Sequence, residues 1–221
     1  MTLTQNQLDA YARDGYILLS GLIPDDIAAA AAGTLWEGMG AQPDNPETWP
    51  DSRYTHHHDQ AEIVACFTDD YLRAASQLCG ESLEHIKTPR GATAINIFPS
   101  TEAWQNPHPH IDHAIKEHGH KTFPRPFHVA TMTFLSDVEG RGGGTAVWPG
   151  SHQQIEALAR SDEAHYEYMW VLNKELDKAG LNDPVVLIPQ RGDVLFYAYL
   201  CAHAGSKNVS TRPRLALNYK W

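Results

Sequence analysis

Three residues in the second half of the chain have the types and spacing to hold a metal. His110-Ile111-Asp112 sets an imidazole and a carboxylate two positions apart; on an extended strand such residues share one face while the residue between points away. A third ligand has to come from elsewhere, and His203 lies on a segment expected to return beside the first. Two histidines and one carboxylate on one side of a metal leave the remaining positions open, which suits iron(II) binding a cosubstrate and dioxygen. A His-x-Asp triplet alone is a weak signal, and a lone histidine is ordinarily a surface or hydrogen-bonded core residue. Its company sharpens the reading. Arg214 starts the apolar run Leu215-Ala216-Leu217; a guanidinium directed into an apolar barrel needs an anion, and its planar fork suits a carboxylate.

The patterning predicts the frame that must position these groups. Residues 5–14 read as a helix capped by Thr4 and stopped by Gly15, followed by a strand over 16–19. Pro24-Asp25-Asp26 opens an alanine-rich helix to about Glu37, since proline is preset for a first turn and acids suit a helix N-terminus. Residues 40–59, with three prolines, read as a loop, and 69–78 as a helix stopped at Gly80. From about Glu84 the texture changes to short β-branched and aromatic runs separated by Gly, Pro, Asn and Asp. Strands are expected over 92–98, 108–113, 127–135, 145–148, 185–188, 193–197, 201–204 and 214–221. Eight strands at that spacing match a jelly roll, the double-stranded β-helix of cupin-like folds. The expected architecture is one domain over 1–221, mainly β with flanking helices: a helical layer over 1–83 and a jelly-roll core over 84–221. A helical insertion near 153–180 is expected to pack outside the barrel.

Bulk composition narrows the partners. With 221 residues and 42% hydrophobic content, the chain can bury one full core. A net charge of -10 with no basic run opposes nucleic acid as a partner. No apolar run reaches the roughly 18 residues of a membrane span, and a polar start gives no export signal, so a cytoplasmic protein is expected. Cys66, Cys79 and Cys201 are too few and too scattered for a disulfide framework or a thiolate zinc site. Nothing in the patterning specifies an oligomeric state.

Four blocks in order resemble the phytanoyl-CoA dioxygenase family of 2-oxoglutarate oxygenases over nearly the whole chain. They are Tyr11-Ala12-Arg13-Asp14-Gly15-Tyr16-Ile17, His110-x-Asp112, Gly142-Gly143-Gly144-Thr145 leading to Pro149-Gly150-Ser151-His152, and Arg191-Gly192-Asp193 leading to His203-Ala204-Gly205. The resemblance implies iron(II) held by His110, Asp112 and His203, with 2-oxoglutarate and dioxygen as cosubstrates. Arg214 falls where the family places the arginine that grips the distal carboxylate of 2-oxoglutarate. It also implies oxidation of a small molecule with release of succinate and carbon dioxide. Because relatives that halogenate replace the carboxylate with a small residue, Asp112 favours hydroxylation, desaturation or ring formation.

Asn96 and Thr131 on expected barrel strands are candidate cosubstrate contacts, and His108 and Trp148 candidate substrate contacts; each is more often plain core or surface. His56-His57-His58 falls in the early loop, as a solvated surface or a lid. A rival reading uses the same stretch: His108-x-His110-x-Asp112-His113 matches the His-x-His-x-Asp-His motif of metallo-β-lactamase-type zinc hydrolases, which activate water with two metals. That reading leaves the Pro-Gly-Ser-His block and Arg214 without a role.

Overall fold

The computed structural model describes residues 2–113 and 118–221. Helix α1 (Gln5–Asp14) begins with a capping box, Thr4 and Gln7 each bonding the other's backbone, and ends at Gly15 with φ +79°. Strand β1 (Tyr16–Leu19) follows, then α2 (Asp25–Met39), α3 (Ala61–Ala65) and α4 (Asp69–Cys79). Between α2 and α3 the structure departs from expectation: part of the predicted loop is strand β2 (Arg53–His58), paired antiparallel with β3 (Ala92–Ile97). Its sequence, RYTHHH, lacks the apolar alternation that would mark it, because it lies at a sheet edge.

The remaining strands are β4 (Val129–Phe134), β5 (Thr145–Val147), β6 (Val185–Val186), β7 (Val194–Ala198), β8 (His203–Gly205) and β9 (Ala216–Lys220). They form a six-stranded sheet in the order β1-β7-β4-β9-β3-β2 and a three-stranded sheet in the order β6-β5-β8, with every pairing antiparallel. This is the expected double-stranded β-helix. The expected strand at 108–113 is absent; a single bridge joins His110 to His203. Pro107 and Pro109 have no N–H to offer a ladder, which limits pairing there.

Strand alternation divides the core in two. On β4, β7 and β9, Met132, Leu195, Tyr197 and Ala216 face Ala146, Val147 and Ala204 of the small sheet. Their neighbours Val129, Val194, Phe196, Leu215 and Leu217 face Leu35, Ile63, Tyr71 and Ala75 of the helices. A fully buried Leu or Phe contributes about 1.5–3 kcal/mol, so both faces of the sheet are held firmly. Helices α5 (Ser151–Ser161) and α6 (Met169–Lys174) form the expected insertion, but they do not stand apart: Ile155, Ala159, Met169 and Leu172 join the barrel core with Val147 and Trp148. Among the described residues, no helix is long and apolar enough to cross a membrane.

Candidate metal centre

The segment carrying His110 and Asp112 is fixed without a regular strand. The His110 N–H donates to the His203 carbonyl and the His203 N–H to the His110 carbonyl, both at 3.0 Å. Next along, the Ile111 side chain is buried and its N–H donates to Asn173 Oδ1 of α6 at 3.0 Å, while Asn173 Nδ2 lies 3.1 Å from His113 Nε2. With Ile111 anchored one way, His110 and Asp112 turn the other. One ligand atom from each of His110, Asp112 and His203 lies within 4.8 Å of the others. The His110 and His203 rings are tilted, with centroids 4.4 Å apart.

Each group is oriented by a partner behind it. His203 Nδ1 lies 3.0 Å from the Cys201 carbonyl; a carbonyl only accepts, so Nδ1 is the donor and Nε2 is the nitrogen turned toward Asp112. Tyr197 donates to Asp112 Oδ2 at 3.0 Å and Lys220 Nζ lies 3.2 Å from the same oxygen. This leaves Oδ1, 3.7 Å from His203 Nε2, free to ligate a metal. Burial alone would raise the Asp112 carboxyl, but His203, Lys220 and His110 outweigh it and hold it below the ordinary carboxylate range. His110 keeps an accessible face toward a groove. Even so, withdrawal from bulk water, with His203 alongside, pushes its imidazole down to about 4, so it is neutral and ready to ligate at neutral pH. Tyr197, buried against Asp112, is raised well above an ordinary phenol and stays a donor.

Arg214 lines the same small cavity as the three candidate ligands, together with Arg53, Ile95, Met132, Thr145, Tyr197, Gly205 and Asn218. It is 1% exposed. Its guanidinium donates to Thr145 Oγ1 at 3.2 Å and to the Ile95 carbonyl at 2.7 Å, and its Nε has no partner. Among the described residues, no carboxylate pairs with it. Burial, with Arg53 nearby, lowers its pKa to about 9. An uncompensated buried cation is costly, and a bound anion would relieve it. The donor set and this cation together fit iron(II) and a dicarboxylate keto acid.

The other sequence-derived candidates divide. His108 lines a groove of about 300 Å³ that shares Arg53, His110 and Gly205 with the metal cavity. Trp148 is core, 5% exposed and packed with Val147 and Met169. Asn96 and Thr131 are not in the cavity. Asn96 Oδ1 accepts from the Ala216 N–H, and Thr131 accepts from the Tyr71 hydroxyl on the helical side. On both strands the neighbouring residue, Ile95 or Met132, faces the cavity instead. The His56-His57-His58 run is edge strand, with His58 buried against Tyr54. Sequence reasoning missed Arg53, Thr145, Tyr197, Asn218 and Lys220. Asn218 and Lys220 could have been found by counting in twos from Arg214 along β9.

The Pro-Gly-Ser-His block supports the site from outside it. Ser151 Oγ accepts the Ala202 N–H at 2.9 Å, holding the turn that delivers His203. His152 Nε2 lies 3.2 Å from the Ala12 carbonyl, and a Cβ on Gly15 would stand 2.3 Å from His152 Nδ1. The block therefore ties the opening helix-strand junction to the metal strand.

A double-stranded β-helix with two imidazoles and a carboxylate converging beside an anion-seeking arginine defines the non-haem iron(II), 2-oxoglutarate-dependent oxygenases. Within that class the chain belongs to the phytanoyl-CoA dioxygenase (PhyH) family, whose model matches residues 11–216. No curated protein matches the chain. Among solved structures, it is similar to the epimerase SnoN in complex with Fe3+, alpha ketoglutarate and nogalamycin RO, with TM-score 0.66 and 16% identity over 97% of this chain and 81% of that one. It is also similar to HygX from Streptomyces hygroscopicus with nickel and 2-oxoglutarate bound, with TM-score 0.60 and 16% identity over 99% and 87% of the two chains. EctD from S. alaskensis with bound Fe gives TM-score 0.60 and 18% identity over 99% and 76%. At these identities the likeness speaks for the fold.

Proposed function

We propose that the protein hydroxylates, or desaturates or cyclises, a small molecule at a centre held by His110, Asp112 and His203. The observation that carries this reading is the meeting of those three side chains, drawn from distant parts of the chain, in one cavity with the buried Arg214. Iron(II) held there by these three residues, with 2-oxoglutarate and dioxygen, would supply oxidative decarboxylation of the keto acid to succinate and carbon dioxide, coupled to oxidation of the substrate by the second oxygen atom. The protein's own part is positional. His203 presents Nε2 because Cys201 holds Nδ1–H, and Asp112 presents Oδ1 because Tyr197 and Lys220 occupy Oδ2. Arg214 takes the distal carboxylate of the keto acid, aided by the Thr145 hydroxyl that already accepts from it.

Asp112 occupies the ligand position that a halide would need, which favours oxygen insertion or hydrogen removal over halogenation. The zinc-hydrolase reading loses its basis: His108 and His113 stand outside the ligand cluster, and the sheets form a β-helix rather than an αββα frame. The test is turnover. Iron(II)-dependent consumption of 2-oxoglutarate should release succinate and carbon dioxide in equal amounts, and Asp112→Ala should stop it. Zinc-dependent hydrolysis with no succinate would reject the proposal.

A further inference from the structure

Arg214 is one of two arginines in the metal cavity, and the proposed keto acid accounts for only one of them. Arg53 reaches in from the edge strand β2 and lines both the metal cavity and the adjoining groove. Its backbone is paired in the ladder with Ile97, but its guanidinium makes no hydrogen bond or ion pair with any described residue. Space for it is provided by Gly205, directly after the metal strand's His203-Ala204: a Cβ there would stand 3.3 Å from an Arg53 guanidinium nitrogen and 3.0 Å from Ile97 Cδ1. A larger residue at 205 would crowd the guanidinium away from the junction between cavity and groove.

The groove beyond Arg53 has a charge opposite to that of the molecule. The chain carries a net -10, yet among the described residues the groove is lined by the cations Arg53 and Lys207, by His108 and the neutral His110, and by the amides of Gln105 and Asn106, with no acidic residue. Lys207 is answered by Glu102; among the described residues nothing answers the Arg53 guanidinium. Clefts lined by one sign of charge concentrate ligands of the other sign, and a free guanidinium fork is built for an oxyanion. At about 300 Å³ the groove sits at the small end of ligand pockets.

The geometry points to a substrate that is a small oxyanion, carrying a carboxylate or phosphate bound by Arg53, with its uncharged part offered to the amides of Gln105 and Asn106. This rests on the oxygenase reading, and it adds a specificity residue. With Arg53 gripping the anionic end, the oxidised carbon lies toward His110, which the groove and the metal cavity share.

The experiment uses the iron(II)- and 2-oxoglutarate-loaded protein and follows succinate release. The probes are small amino and aliphatic carboxylates, their primary amides, and phosphate monoesters of matching size. At least one oxyanion series should stimulate release roughly 10- to 100-fold over its neutral counterpart, the worth of a charge-assisted hydrogen bond. Whichever series does so identifies carboxylate or phosphate. Arg53→Gln should raise the KM of the stimulating compound by a similar factor, with 2-oxoglutarate affinity unchanged, and Arg53→Lys should recover part of the loss. Amides performing as well as acids would overturn the inference. So would an Arg53→Gln variant whose defect lies in 2-oxoglutarate binding, since Arg53 would then serve the cosubstrate. Failure of the loaded protein to turn over 2-oxoglutarate at all, with or without probes, would instead reject the oxygenase reading beneath it.

Discussion

Tyr197 on β7 donates its hydroxyl to Asp112 Oδ2 at 3.0 Å, and the same hydroxyl accepts from Asn218 Nδ2 on β9 at 3.0 Å. A carboxylate on an irregular segment is thereby tied to two strands of the large sheet that flank β4. Tyr197→Phe keeps the buried ring and removes only the hydroxyl with its bonds to Asp112 and Asn218. Because partners of this kind tune ligand orientation, iron(II) affinity should fall about 10- to 100-fold, with thermal stability nearly preserved. Anaerobic iron titration with a melting curve checks both; unchanged affinity would mean that Lys220 alone orients Asp112.

Arg214 is predicted to be costly to the empty protein and valuable to the loaded one. Replacing a buried ionic group by an apolar one of similar volume is often neutral or stabilising, so Arg214→Met should melt no lower than the parent without ligands. Saturating 2-oxoglutarate at about 100 times Kd should stabilise the iron-loaded parent by about 2.7 kcal/mol and the variant far less, while iron binding persists. Equal stabilisation of both would remove Arg214 from its role.

Ser151→Ala tests the support that the Pro-Gly-Ser-His block gives the centre. The Ala202 N–H would lose its acceptor in a fully buried setting, costing roughly 1–3 kcal/mol. Since Ala202 precedes His203, iron affinity should fall too. Ser151→Thr, which restores an acceptor, should recover part of both. Denaturant unfolding and iron titration in parallel provide the check, and a stability loss without any change in iron binding would confine Ser151 to the fold.

Much of this was legible in the sequence, and the failures have physical causes. Helices α1, α2 and α4, with the glycine stops of α1 and α4, follow from local rules, and the β texture after residue 84 follows from short branched runs between turn residues. Pairing across the fold is not local: the segment carrying His203 was expected to return beside the first, but spacing alone cannot show that β8 bridges residue 110, and the family resemblance added the weight. Strand parity was the second failure. Asn96 and Thr131 were placed one position from Ile95 and Met132, which face the cavity, and a shift of one residue exchanges the two faces of a sheet. Arg53 was hidden because an edge strand rich in histidine has no hydrophobic signature. Tyr197 read as core, which it is; its hydroxyl's task appears only when β7 passes under Asp112.

The three thiols are predicted to be inert in the native protein. Burial pushes Cys66 up to about 12 and Cys79 up to about 11; burial, against the Ser151 hydroxyl, leaves Cys201 at about 12. Between pH 9 and these values the unfolded chain releases protons that the folded one keeps, so their contribution to stability is full below pH 9 and declines as pH rises toward 12. A disulfide reagent at pH 8 should label native protein far more slowly than denatured protein. A rapidly reacting thiol would show that one of these sites opens.

The most direct test of the central claim, that His110, Asp112 and His203 hold one iron(II) with Arg214 placed for the keto acid, is an anaerobic optical titration. Adding iron(II) and then 2-oxoglutarate should produce a weak visible charge-transfer band that saturates at one iron per chain and is absent in His110→Ala. No band in the parent protein, or an undiminished band in His110→Ala, would contradict it.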